Sequence, residues 1–329
     1  MDFRPIARAD RAFQQPISSD ELLAMCGRAF GAGTTVLSAV EIDGGFYNNT
    51  YMVDIGAEHP MVLRVAPSQR RQTRIESELL RNAYAIMPFF SSFSDMMPRI
   101  VFADWTGDIS ERDYIWQTYL EGTPAHEGLN AYPRDQWPVF FEQLGNISRR
   151  MHEVAGPWFG RVAGPHYSNW SEFVLTWLED AVADLEDAGL PHADVRGVLE
   201  AAEGHSDILD EITSPRLLHG DLWVPNVMMT PGAPLPTISG FLDHDRALFG
   251  DPVADWAIFM AERRPGTERD AFWNTYGRLS SEPNARWRRL VYWALHLSAL
   301  RLERHRLGLQ ANPDDDGALL RILGDLTPP

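Results

Sequence analysis

The sequence predicts an α+β chain of two lobes: a small lobe on a five-stranded antiparallel sheet, and a larger, mostly helical one. Three observations carry that expectation. The chain has 329 residues, more than a single hydrophobic core usually organises. Strand-like stretches crowd into its first third, and helical periodicity dominates after Gly122. A short strand-and-loop island at 215–245 interrupts the helices. The division is placed between 1–118 and 119–329.

The elements follow in order. Ser18 with Glu21 three residues later makes a capping box for a helix over 18–30, with Leu22, Leu23, Met25, Cys26 and Phe30 as its apolar positions and Gly31 as its stop. TVLSAVEID (35–43), TYMVDIG (50–56) and MVLRVA (61–66) are strands of a meander joined by short turns. Residues 71–86 return to helical period, with Ile75, Leu79, Leu80 and Ala83 on one face. RIVFAD (99–104) and DYIWQTYL (113–120) complete the five strands. Beyond them, helical patterns cover 136–154, 170–189, 194–212, 268–279 and 285–306.

Composition narrows the function classes. A net charge of −17 argues against a nucleic-acid partner, which requires a basic surface. No apolar run approaches the roughly 18 residues of a membrane span, and the opening MDFRPIARADRAF lacks the apolar stretch of a secretory signal. Cys26 is the lone cysteine, so neither an intrachain disulfide nor a Cys-rich zinc site can form, and a cytoplasmic location is expected. All 29 basic residues are arginine, which matters because many phosphate-handling sites rely on a lysine.

The chemistry concentrates in LLHGDLWVPNVMM (217–229) and GFLDHDRALFGDPVADWA (240–257). These segments resemble the phosphotransferase family that includes aminoglycoside and choline kinases: His219-Gly220-Asp221, then Asn226, then Asp243 on the next strand, then Gly250-Asp251-Pro252. The resemblance implies a protein-kinase-like fold and Mg²⁺-dependent transfer of the γ-phosphate of ATP or GTP to a hydroxyl. Asp221 is then the base that accepts the hydroxyl proton. Asn226 and Asp243 hold Mg²⁺, a hard cation that takes oxygen ligands, and Asp245, two residues on and facing the same side of an extended segment, is a further candidate ligand. Positioning and charge neutralisation supply most of the catalysis in such transfers. His219 is expected to brace the loop rather than move a proton, and Asp251 and Asp255 to satisfy loop amides and cap a helix.

On the nucleotide side, GGFYNNTYMV (44–53) lies where this family folds a loop over the triphosphate, with Gly45 and Asn48 as the contributors expected there. The family's third-strand lysine is replaced by Arg64, which can bind phosphate bidentately, and Glu76 is its expected partner. Backbone groups near Gln117, Thr118 and Tyr119 fall at the hinge and would meet the purine, adenine or guanine.

The acceptor is expected to be a small molecule, because only residues 244–250 separate Asp243 from Asp251 and leave no platform for a peptide. Residues 178–211 hold eleven acidic residues against Arg196 alone. They read first as a pair of solvated helices, and second as a source of negative potential for a polycationic sugar. Trp223, inside the loop beside Asp221, is the side chain expected to touch the acceptor. An antibiotic of aminoglycoside or nucleoside type leads. A metabolic alcohol such as choline, a sugar or homoserine comes next, and a nucleotide-binding pseudokinase last.

Overall fold

The computed structural model describes residues 1–9 and 12–326. In chain order the elements are β1 (Asp2–Arg4), α1 (Ser19–Phe30), β2 (Ser38–Glu41), β3 (Asn49–Asp54), β4 (Met61–Val65), α2 (Leu79–Ile86), β5 (Ile100–Asp104), β6 (Tyr114–Thr118), β7 (Thr123–Pro124), α3 (Ala125–Gly128), α4 (Trp137–His152), α5 (Trp170–Asp187), α6 (Ala193–Gly204) and α7 (Ser206–Leu209). There follow β8 (Arg216–Leu218), β9 (Val227–Met229), β10 (Ile238–Phe241), β11 (Leu248–Gly250), α8 (Trp256–Glu262), α9 (Phe272–Tyr276), α10 (Pro283–Arg306) and α11 (Pro313–Leu326). Among the described residues no helix is long and apolar enough to cross a membrane.

The expected five strands are all present, but the sheet is not five-stranded and antiparallel. It has six strands in the order β1-β2-β3-β4-β6-β5, and the extra one, β1, runs parallel to β2. Three residues with only Phe3 to bury leave no alternation for a sequence reading to catch. The capping box at Ser18 forms as expected, and Leu22, Met25 and Cys26 of α1 pack on Val53, Leu63, Val65 and Trp116. Because side chains alternate along a strand, Leu63 and Val65 turn to α1 and Arg64 between them turns to the opposite face. In the β4–β6 register Val62 lies across from Gln117 and Arg64 from Ile115, so Gln117 shares the face of Arg64.

The helix expected over 71–86 is regular only from Leu79. Before it the chain makes 3-10 turns at Gln69–Arg71 and Arg74–Glu76. Asp184 of α5 captures the turn: it accepts from the amides of Arg74 (3.0 Å) and Ile75 (3.1 Å) and from the Arg74 guanidinium at 2.9 Å. That tertiary grip outweighs the local helical pattern.

The helical part holds two apolar clusters. One joins α5, α6, α10 and α11 through Val174, Leu185, Val198, Leu295 and Ile322. The other joins α4, α8 and α9 to the short strands through Phe140, Ile147, Phe241, Phe249 and Phe272. Sequence reading missed α8 and α11, although Leu319, Ile322 and Leu326 of α11 keep helical spacing.

Candidate active site

The candidate residues occupy the gaps between the four short strands. β8 ends at Leu218 and hands the chain to His219-Gly220-Asp221; a 3-10 turn at Val224–Asn226 delivers Asn226 just before β9; β10 ends two residues before Asp243. β8 pairs with β11 and β9 with β10, so residues distant in sequence meet at adjacent strand ends. Two backbone features hold the turns. Gly220 has φ +77, and a Cβ there would stand 2.3 Å from the Arg246 carbonyl oxygen, a place open only to glycine. Asp243 itself sits in the left-handed region at φ 59, an unusual position that the surrounding structure must impose.

Asp255 anchors the loop. It accepts from the amides of His219 (3.1 Å) and Gly220 (2.9 Å) and lies 2.9 Å from His152 Nε2. His219 is fully buried, its Nδ1 accepts from the Asp221 amide at 3.3 Å, and burial pushes its pKa down to about 4. A neutral, buried imidazole bonded to backbone fits the bracing expected of it. Asp251 accepts from the Val253 amide (3.1 Å) and the Tyr292 hydroxyl (2.9 Å). Asn226 donates its amide nitrogen to the Asp221 carbonyl at 2.8 Å, which leaves its amide oxygen for a ligand.

Asp221, Asn226, Asp243, Asp245, Arg64, Glu76, Gly45, Asn48 and Trp223 line one cavity of about 260 Å³. Burial raises the Asp221 carboxyl well above its usual value; Arg246, with Nε 4.0 Å away, opposes this, and the charges of Asp243 and Asp245 reinforce it. Arg64 does not pair with Glu76 as expected. Its Nη2 lies 2.9 Å from both Asp243 Oδ1 and Asp245 Oδ2. Asp245 also accepts from Asn48 Nδ2 at 3.2 Å. Burial works against the Asp245 carboxylate, but Arg64 and Arg246 outweigh it and hold the group below its usual range. The side chain of Asp243 is 42% exposed against 8% for Asp245, so Asp243 is the open carboxylate and Asp245 the engaged one.

Glu76 instead receives Arg246 at 2.6 Å and Arg306 from the end of α10. The Tyr47 hydroxyl donates to the Glu76 carbonyl, and the Arg306 guanidinium lies 5.3 Å from the Tyr47 ring centroid. This knot ties the loop at 44–48 to the helical part. Sequence reasoning missed both arginines. Arg246 stands three residues after Asp243 and was findable; Arg306 is one of six arginines clustered at 286–306, and nothing in the sequence singles it out as the partner of Glu76.

Gln117 and Tyr119 do not line the cavity. Gln117 is buried with its Oε1 unpartnered, and Tyr119 is 37% exposed. None of the eleven acidic residues at 178–211 lines it either. Six of them are engaged elsewhere: Asp184 and Asp187 by Arg74, Glu186 by Arg196, Asp194 by Arg301, Asp210 by Ser171 and Glu211 by Arg288.

A magnesium ion held here would rest on few protein ligands. Among the described residues no group of three His, Cys, Asp or Glu is placed to hold a metal. That agrees with Mg²⁺, which takes one or two carboxylates and completes its shell with phosphate and water; the open Asp243 carboxylate and the free amide oxygen of Asn226 are hard donors of the right kind.

No curated protein matches the chain in sequence. Among solved structures, wild-type aminoglycoside 2'-phosphotransferase-IIIa in its GDP complex superposes with a TM-score of 0.60 at 16% identity, over 94% of this chain and 98% of that one. The GDP and kanamycin complex of APH(2")-IIia gives 0.60 at 17%, over 93% and 97%. Aminoglycoside phosphotransferase APH(4)-Ia gives 0.62 at 16%, over 93% and 99%. At such identity the likeness shows the fold, α+β and kinase-like. The profile of the phosphotransferase enzyme family matches residues 38–293. With the profile spanning most of the sequence, the chain belongs to the phosphotransferase enzyme family and is an O-phosphotransferase.

Proposed function

We propose that this protein is a Mg²⁺-dependent kinase that moves the γ-phosphate of ATP or GTP onto a hydroxyl of a small molecule. The observation that carries this is the meeting of Asp221, Asn226 and Asp243, with Arg64, on the wall of one cavity. Asp221 takes the proton as the hydroxyl oxygen bonds to the γ-phosphorus; the bond from that phosphorus to the bridging β-oxygen breaks, and the nucleoside diphosphate leaves. A carboxyl with a raised proton affinity suits a general base. Asn226 and Asp243 would hold the Mg²⁺, which when bound neutralises charge on the phosphates. Asp245, buried and engaged by Arg64 and Asn48, serves the arginine rather than the metal in this reading.

Arg64 takes the part of a phosphate-binding lysine, and its charge is always present. The loop at 44–48 offers backbone amides to the phosphates. The division at 118/119 separates a nucleotide-holding lobe from an acceptor-holding one, and backbone groups near Gln117, Thr118 and Tyr119 at the hinge would meet the base. The cytoplasm, which supplies the nucleotide, is its place of work. The solved relatives include complexes with kanamycin and, with ADP, hygromycin B. Those ligands favour modification of an antibiotic, conferring resistance or self-protection, over a metabolic alcohol, without carrying their amino groups over to the acceptor of this chain.

The test is transfer of label from γ-³²P nucleotide in the presence of Mg²⁺ across a panel of alcohols, with Asp221→Asn as control. The reading is lost if wild type and Asp221→Asn release nucleoside diphosphate equally with every acceptor.

A further inference from the structure

The cavity that holds Asp221 and Asp243 is also walled by α5, α8 and α10, through Trp177, Trp256, Met260, Leu295, Ala299 and Leu300. Resting on the kinase reading, we propose that the acceptor is a compact neutral alcohol with an apolar body and oxygen atoms at its rim, not a polyamine sugar.

Charge argues first. Of the carboxylates lining the cavity, Glu303 alone lies on a helix, and Arg263 at the end of α8 shares the wall with it. His296 also lines it, and burial pushes its pKa down to about 4, so it is neutral. The other lining carboxylates, Glu76, Asp221, Asp243, Asp245 and Asp255, belong to the catalytic end. On the helical wall several ammonium groups would give up water for aromatic rings and for Glu303, which Arg306 already engages at 3.4 Å, and burying unpaired charge is costly. The acidic stretch at 178–211, which could have offset that cost, lines no part of the cavity.

Hydrogen bonding argues second, for oxygen atoms on the acceptor. The indole N–H groups of Trp177 and Trp256 are buried without a partner in the protein. Native structures rarely leave such donors unpaired. A hydroxyl, ether or carbonyl oxygen satisfies them, and a neutral alcohol and an amino sugar both carry such oxygens. Aromatic faces also attract a quaternary ammonium, which makes a choline-like alcohol the nearest rival. Against it, the Arg263 guanidinium lies on the same wall. Size argues third: about 260 Å³, shared with the phosphates, is at the lower end for a small-molecule pocket.

The experiment gives the full chain ATP, Mg²⁺ and three probes: 2-phenylpropane-1,3-diol, choline and the diaminocyclitol 2-deoxystreptamine. ADP release reads turnover, and quenching of tryptophan fluorescence reads binding without turnover. The diol is expected to quench saturably, to drive ADP release at the lowest KM of the three, and to do so with little dependence on salt. Trp177→Ala should raise its KM about tenfold while nucleotide KM stays nearly unchanged; Trp177→Phe, which keeps the ring and lacks the N–H, should fall between. A lower KM for either amine, or a diol that does not quench, overturns the inference. Failure of the kinase reading looks different: no probe drives ADP release, while quenching by the diol persists.

Discussion

At one end of the cavity opposite charges hold each other at hydrogen-bonding distance, Arg64 between Asp243 and Asp245 and Glu76 between Arg246 and Arg306. Across from them, Trp177, Trp256, Met260 and Leu300 form a wall of surface rather than of pairs. The two ends respond to change in different ways. A buried ion pair that loses one partner leaves an uncompensated charge, so the charged end tolerates almost no substitution. An apolar wall of about the right volume tolerates many. Chemistry is therefore fixed at one end, and the choice of acceptor can be retuned at the other.

The sharpest way to break that comparison is at Asp221. Asp221→Asn should lower kcat by roughly 10²–10⁴-fold, the worth of a positioned base, with nucleotide binding and the unfolding midpoint unchanged. Steady-state rates beside calorimetric nucleotide titration decide it. A loss under tenfold would remove the base from the mechanism.

Next comes the difference between two carboxylates on one arginine. Asp245→Ala should cost about 1–3 kcal/mol of stability, because buried Asn48 loses its acceptor while Arg64 keeps Asp243 alone, and urea denaturation reads it. Asp243→Ala, at the exposed carboxylate, should cost far less stability and remove the Mg²⁺ dependence of the rate. Equal losses of stability would mean that the two side chains are not divided between structure and ligand.

The same contrast explains what could be read in the sequence. Asp221, Asn226 and Asp243 were legible because short strands fix their spacing, and hairpin pairing then converts spacing into proximity. The five longer strands and α1 were legible from alternation and from the Ser18–Glu21 box. The partner of Arg64 was not: Glu76 lies on a 3-10 turn that Asp184 grips at the Ile75 amide, 109 residues away in sequence, and no local pattern records it. Arg306 and the aromatic wall stayed hidden for a related reason. Their residues come from different helices, each obeying its own periodicity, and a tryptophan facing a cavity has the same spacing as one facing the core. Acidic density left two readings, and the first of them, a pair of solvated helices, agrees with a stretch that lines no part of the cavity. The carboxylates at 178–211 are numerous, but charge count along a chain says nothing about which face carries it.

A smaller effect separates burial from pairing. His296 lines the apolar wall, and its pKa is pushed down to about 4 by burial. A buried histidine that resists protonation leaves stability intact above its unfolded value and removes it as pH falls from about 6.5 toward 4. By pH 5 the loss from this group is about 2 kcal/mol. His296→Gln should abolish that share, so the gap in urea midpoint between wild type and variant should shift in favour of the variant between pH 7.5 and pH 5. A gap that stays constant with pH would show that the imidazole is not held neutral.

The smallest expected effect tests the acidic stretch itself. Glu179, Glu200 and Glu203 are exposed, and none lines the cavity. At 0.15 M salt the screening length is about 8 Å, so solvated carboxylates off the cavity wall exert little field within it. Neutralising all three to Gln should change the acceptor KM by less than about twofold, whichever alcohol is used, and should leave the salt dependence of kcat/KM where it was. A rise of about tenfold, confined to cationic acceptors and erased by salt, would mean that the outer surface steers what the inner wall does not. The acidic helices, and not the aromatic compartment, would then carry acceptor selection.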